Sequence, residues 1–197
     1  MPLMRRRDLL KSSASALLTA SVMLAGRPAY AQSNTHTGIE LSRLGVQRSD
    51  DGLLLNYDAR FDLPRDLEMA LSKGVAVVFV AEAEVFKSRW YWTDQMLGSA
   101  TRRWRLAYQP LTRRWRLSFD GLSRHYNRLS DALDAMRSTD HWRIADTIPI
   151  GDEDDYYVAF NFKLDTDELP RPLQIGLGGP TDWRLAVQRR VGIHTNR

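Results

Sequence analysis

The sequence predicts a mainly β chain folded as a single antiparallel β-sandwich, immunoglobulin-like in general form, with two short helices. Three observations predict it. Apolar and polar residues alternate along most of the chain after residue 38, turn-forming residues punctuate the alternating runs, and only two short segments carry helical spacing. A side-chain period of two puts successive residues on opposite faces, so each run offers one face to a core and one to water.

The elements follow in order. Ile39, Leu41 and Leu44 to Val46 lead through Ser49-Asp50-Asp51-Gly52 to Leu53, Leu55, Tyr57, Ala59 and Phe61, and Asp-Gly between alternating runs is a hairpin signal. Asn56, Asp58, Arg60 and Asp62 should then line a wet face. Leu63, Leu67, Ala70 and Leu71 fall at helical spacing, with Pro64 in the first turn and Gly74 placed to stop the helix. Val75 to Val85 is the most apolar strand, carrying Glu82 and Glu84 on one face.

Residues 101–119 are a tandem near-duplication, Thr-Arg-Arg-Trp-Arg-Leu-Ala-Tyr followed by Thr-Arg-Arg-Trp-Arg-Leu-Ser-Phe, separated by Gln109-Pro110-Leu111. As a hairpin it gathers Trp104, Leu106, Tyr108, Trp115, Leu117 and Phe119 on a purely aromatic and aliphatic side. Arg103, Arg105, Arg114 and Arg116 occupy the other side. A helix would scatter the rings around its axis, and Pro110 suits a connection better than a helix interior.

A further strand is expected at Gly121 to Asn127, then a helix capped by Ser130, with Ala132, Leu133 and Met136 as its apolar stripe. Trp142 and Ile144 begin an extended piece, and Gly151 to Asp155 forms an acidic turn. Tyr156 to Leu164 is a clearly half-buried strand. Leu173, Ile175 and Leu177, then Trp183, Leu185 and Val187, supply the closing strands of a domain spanning 38–190, with a tail over 191–197.

The first 31 residues read as an address. Arg6-Arg7-Asp8-Leu9-Leu10-Lys11 precedes a weakly apolar stretch from Ala14 to Ala25, and Ala29-Tyr30-Ala31 has the small-x-small pattern cut by signal peptidases. The pattern resembles a twin-arginine export signal cleaved after Ala31, with a short leader over 32–37 and a periplasmic product. About a dozen apolar residues are too few to span a bilayer, which takes roughly 20. The mature chain is therefore not expected to be transmembrane.

Cleavage would leave 23 basic and 23 acidic residues, so the high pI of the whole chain belongs largely to the signal. Net charge then gives no basis for nucleic-acid binding. Of the basic residues after Ala31, only Lys73, Lys87 and Lys163 are lysines, and arginine is the better residue for forked pairing with carboxylates and phosphates. The chain has no cysteine, which removes disulfides, thiol catalysis and cysteine-held metal clusters together.

Two clusters are candidate binding residues. For Arg103, Arg105, Arg114 and Arg116 the favoured reading is an internal ladder of ion pairs with Glu82, Glu84, Asp58 and Asp62, since like charges on one sheet face repel. The alternative is a surface for an anionic partner. For Arg89-Trp90-Tyr91-Trp92 the favoured reading puts Trp90 and Trp92 on the core side of a strand, because aromatic residues dominate sheet interiors. The alternative is an exposed platform adjoining the arginine face, since Trp, Tyr and Arg are enriched at binding hot spots.

Catalytic signals are weak. No two of the four histidines have metal-ligand spacing, the acidic turn lacks the pattern of a calcium loop, and no nucleophile or phosphate-loop motif occurs. Gly176-Leu177-Gly178-Gly179 precedes Pro180 rather than a helix. No metal and no cofactor is implied.

Four pieces in order, Leu67-Glu68-x-Ala70-Leu71-x-x-Gly74, Arg89-Trp90-Tyr91-Trp92, Trp104-x-Leu106-x-Tyr108-x-x-Leu111 and Leu164-Asp165-x-x-x-Leu169-Pro170-x-Pro172, resemble the exported proteobacterial family catalogued as domain of unknown function 4390. The resemblance runs from about Gly38 to about Val187, departing near its end where Gln188-Arg189 stands in place of a tryptophan. It implies a single exported domain with no assigned reaction, and an accessory role linked to a membrane sensor kinase. The resulting expectation is a non-enzymatic periplasmic binding or accessory module whose partner is an envelope protein or an anionic surface. The alternative is a carboxylate-based hydrolase acting on envelope glycans, which needs a concave pocket holding two carboxylates.

Overall fold

The computed structural model of the chain describes residues 38–146, 156–170 and 185–193. The expected export signal (1–31), the expected leader (32–37), the expected acidic turn at 151–155, the expected strand through Leu173, Ile175 and Leu177, the glycines of 176–179 and Trp183 lie outside them.

Each alternating run becomes a strand. In chain order these are β1 (Glu40–Ser49), β2 (Gly52–Arg60), α1 (Arg65–Ser72), β3 (Val77–Lys87), β4 (Gln95–Gln109), β5 (Arg114–Phe119), β6 (Leu122–Tyr126), α2 (Leu129–Arg137), β7 (Ser138–Ala145), β8 (Tyr156–Asp165) and β9 (Ala186–Gly192). They form two antiparallel sheets, one of three strands in the order β1-β2-β7 and one of six in the order β6-β5-β4-β3-β8-β9. The sheets stack as a sandwich. Both helices lie where the chain passes from one sheet to the other, α1 between β2 and β3 and α2 between β6 and β7.

The hairpins follow from local chemistry. Ser49 pairs with Gly52 across Asp50-Asp51. Gly52 has φ of 127° and the carbonyl of Ala145 against the place a Cβ would occupy, so a side chain fits neither the backbone angle nor the space. Asp120 and Gly121, both at positive φ, make the two-residue turn joining β5 to β6, as the twist of paired strands favours. Pro64 is the N-cap of α1 with φ of −56°, and Gly74 beyond its last turn takes φ of 90°.

Aromatic rings hold the two sheets together. Tyr57 and Phe61, from β2 and the residue just after it, meet Phe160, Phe162 and Phe79 of the large sheet, with ring centroids 4.9 Å apart for Tyr57 and Phe160 and 5.2 Å for Phe61 and Phe79. Phe79 stacks on Phe162 at 5.9 Å, and Trp104 meets the edge of Phe162 at 6.0 Å. Leu55, Leu106 and Val158 fill the space around them and are fully buried. Leu67 and Leu71 of α1, and Ala132, Leu133 and Met136 of α2, join the same core.

Several local expectations are corrected. Asn56 is buried rather than wet, because β2 and β7 slip register beside it and its Oδ1 accepts the His141 N–H at 2.7 Å where His141 takes φ of 53°. Ser130 lies inside α2, whose N-cap is Arg128. Its hydroxyl meets Asp131 Oδ1 at 3.2 Å instead of capping the helix. β9 continues to Gly192 and Ile193 is buried, its N–H bonded to the Tyr156 carbonyl at 2.9 Å, so ordered chain extends past the expected boundary at 190.

The residues 88–94 are a loop. β3 and β4 pair as far as Lys87 opposite Gln95 and no further, so Trp90 and Trp92 do not reach the core side of a strand.

Two stability measurements check this core. Phe162→Ala should cost about 3–5 kcal/mol in urea unfolding, as deletion of a large buried ring does. Burial pushes the Tyr57 hydroxyl up to about 12 from 10.0, against the lowering effect of its hydrogen bond with Thr139. Above pH 10 the unfolded chain ionises this tyrosine while the native state keeps its proton. Stability should therefore be intact below that pH and fall by about 1.4 kcal/mol per unit toward pH 12, with the fall flattened in Tyr57→Phe.

Candidate functional site: an arginine face and an aromatic loop at opposite ends of one strand

The tandem repeat folds as a hairpin that aligns the head of one copy with the tail of the other. Trp104 pairs with Phe119, Leu106 with Leu117 and Tyr108 with Trp115, with Pro110 to Arg113 in the turn. Trp104 and Phe119 stack at 5.5 Å and Tyr108 meets Trp115 at 4.8 Å on the inner side. Arg103, Arg105, Arg114 and Arg116 all lie exposed on the outer side.

The register keeps these cations from facing one another. Arg105 lies opposite Ser118, Arg116 opposite Ala107 and Arg114 opposite Gln109, while Arg103 borders Val80 of β3. The nearest guanidinium-bearing positions across the hairpin are diagonal, at about 7–8 Å, which relieves the repulsion expected of direct opposition.

The internal ladder of ion pairs does not form. Arg103 Nη2 meets Asp165 Oδ2 at 2.9 Å, an acid that was not among the expected partners. Glu82 is held instead by Lys163 at 3.2 Å and Asn161 at 2.9 Å, Asp58 by Arg43 at 2.7 Å, and Asp62 lies 3.9 Å from Arg137. Arg116 donates to the neutral Ser123 hydroxyl from Nε at 3.1 Å and Nη2 at 3.0 Å, and Arg114 donates to Asn127 Oδ1 at 3.4 Å. Among the described residues, no carboxylate forms an ion pair with Arg105, Arg114 or Arg116. His125, opposite Arg116 on β6, extends the same face.

The second cluster is exposed and remote. Trp90 is 83% accessible, Tyr91 66% and Trp92 78%, and Met96 beside them is 52% accessible. The base of the loop is fixed: Asp94 accepts the Tyr157 hydroxyl at 2.6 Å and the Arg89 N–H at 3.2 Å, which together hold its carboxyl below the usual range. Arg89 also bonds Gln95. Arg103 and Arg105 stand eight and ten residues along β4 from Gln95, about 26 and 33 Å at roughly 3.3 Å per residue, and Arg116 and Arg114 lie farther still, opposite Ala107 and Gln109. The loop and the arginine face are therefore separate surfaces and not one adjoining platform.

One arginine breaks the expected division of faces. Arg102 shares its parity with Trp104, so the inner side of the hairpin is not purely apolar. Its guanidinium lies over the Phe119 ring at 5.3 Å and the Trp142 ring at 5.0 Å, and burial lowers its pKa. It lines a groove of about 420 Å³ together with Trp104, Phe119, Leu122, Arg124, Tyr126 and Asp140. The signal was present in the doubled Thr-Arg-Arg-Trp, whose first arginine stands two residues before an inward tryptophan. Its counterpart Arg113 falls in the turn, at φ of 51°.

A larger hollow of about 1050 Å³, beside β1, β2 and α2, contains Glu40, Asp58, Asp62 and Asp134. Ser138 and Arg43 hold the Asp58 carboxyl below its ordinary range. Asp134 is paired with Arg137 at 2.9 Å. Among the described residues, no group of three His, Asp or Glu side chains is arranged to hold a metal ion.

The two sets of tryptophans should respond differently to substitution. Replacing Trp90, Tyr91 and Trp92 by Ser should change unfolding free energy by no more than about 0.5 kcal/mol each, as exposed positions do. Trp104→Ala, at 4% accessibility, should cost about 3–5 kcal/mol in the same urea titration.

No curated protein and no solved structure is similar enough to this chain to match. A family model matches residues 36–191, nearly all of the chain beyond the expected signal, and through it the chain belongs to the family described as Domain of unknown function (DUF4390).

Proposed function

We propose that this chain is a non-enzymatic binding or accessory module of the periplasm, exported by the twin-arginine route and cleaved after Ala31. Its outer arginine face receives an anionic partner of the envelope. The observation that carries the reading is the set of three exposed guanidiniums, Arg105, Arg114 and Arg116, with no carboxylate paired to them among the described residues. Exposed arginine forks match carboxylates and phosphates, and their staggered spacing suits a partner carrying several acidic groups. An acidic patch on the extracytoplasmic part of a membrane sensor is one such partner, in keeping with the family resemblance, and an anionic bilayer is another.

Hydrolysis is the weaker reading. Asp58 in the large hollow accepts from Ser138 and Arg43, which hold its carboxyl in the charged form and oppose its use as a general acid near neutral pH, and Asp134 is taken up by Arg137.

Two experiments test the proposal. Wild type should be retained by vesicles containing anionic lipid, or by an acidic envelope protein in a pull-down, at low ionic strength and released by salt. The combined Arg105→Ala, Arg114→Ala and Arg116→Ala variant should lose that retention while melting as wild type does. Equal retention of the variant, or retention insensitive to salt, would sink the arginine-face reading. For the address, replacing Arg6 and Arg7 by lysine should leave the chain unprocessed in the cytoplasm, whereas the exported wild type should begin at Gln32 by N-terminal sequencing.

A further inference from the structure

The inner groove combines a half-buried cation with apolar walls. The Arg102 guanidinium lies over the rings of both Phe119 and Trp142, 5.3 Å and 5.0 Å from their centroids. Among the described residues no carboxylate pairs with it, and Asp120 in the β5–β6 turn acts on it only through space. The acid on the groove wall, Asp140, is already held by Arg43 at 2.6 Å. Arg124 stands exposed on β6, opposite Leu117, and likewise has no ion pair among the described residues. The groove therefore presents two positive charges that no neighbouring acid neutralises. Removing a cation from water is costly unless an anion or a set of acceptors compensates.

The remaining lining selects among anions. Trp104, Phe119, Leu122 and Tyr126 are apolar or largely so, and Leu122 is 73% accessible, so a sizeable apolar surface is open to a ligand. Hydroxyl donors are scarce. The Ser138 hydroxyl is committed to Asp58 at 2.6 Å. A phosphate dianion needs more donors than one guanidinium supplies, whereas a carboxylate matches a single guanidinium fork. The volume of about 420 Å³ is that of a small-molecule site.

We propose that this groove binds a carboxylate carrying an apolar tail, with Arg102 taking the carboxylate, Arg124 drawing it to the mouth, and Phe119, Leu122 and Tyr126 covering the tail. The site is on the opposite side of the hairpin from the outer arginine face and does not depend on it.

Calorimetric titration of the full chain with octanoate tests the proposal, with octanol and inorganic phosphate as comparators. The expected result is saturable octanoate binding, at least ten-fold weaker in Arg102→Gln and in Leu122→Glu, and unchanged when Arg105 and Arg116 are replaced by alanine. Octanol and phosphate should bind far more weakly. Leu122 is exposed, so its substitution should report on the groove even if the Arg102 variant is unstable. Absence of saturable octanoate binding, binding undiminished in Leu122→Glu or in a folded Arg102→Gln, or displacement of octanoate by phosphate would overturn the assignment.

Discussion

The contact between Tyr57 and Phe61 on the small sheet and Phe79, Phe160 and Phe162 on the large one is the constraint from which the other surfaces follow. Once these rings point inward, the period of two sends every alternate residue of β3, β4 and β8 outward. Arg103, Arg105, Lys163 and Glu82 are on the outer face because Trp104, Leu106, Phe162 and Ala81 are on the inner one. A slip of one residue would bury the guanidiniums and expose the rings, so the composition of the outer face is tied to the packing of the core.

The unequal size of the two sheets determines where that core stops. Three strands do not cover six. α2 packs against β2, β5, β6 and β7 and partly closes the difference, yet β5 and β6 retain an inner surface open to water. Leu122, Arg124 and Tyr126 lie on that overhang, and Arg102 sits where the covered and uncovered parts meet. The arginine face and the groove are thus two sides of one ribbon. They differ in environment: water screens the outer cations, whereas Arg102 is set among rings in a less polar setting.

Charge placement on the outer face follows a similar logic. Asp165 is on the far side of β3 from β4, yet it reaches Arg103 because Val78 and Val80 between them are small enough for the two side chains to meet above the sheet. Glu82 lies nearer in sequence to the hairpin but faces Lys163 and Asn161 on the neighbouring strand. Pairing of acids with bases is set by which strands are adjacent. Adjacency is a property of the sheet order and not of the chain order.

Much of the fold was determined by the sequence alone. The alternation in β2 and β8, the Asp-Gly hairpin, the proline and glycine bounding α1 and the doubled Trp-Arg-Leu passage are local patterns, and local patterns encode strands, turns and the face each residue takes. They also placed Arg103, Arg105, Arg114 and Arg116 together. What only the tertiary structure decided were matters of distance between segments far apart in the chain. Arg103 pairs with Asp165 rather than Glu82, Trp90 to Trp92 fall beyond the end of strand pairing, and a 15-residue β4 carries them away from the arginine face. Arg102 was visible by parity, but its half-buried setting arises because Trp142 comes from the other sheet. Periodicity specifies direction within one strand, whereas partners and burial depend on how sheets of different width meet.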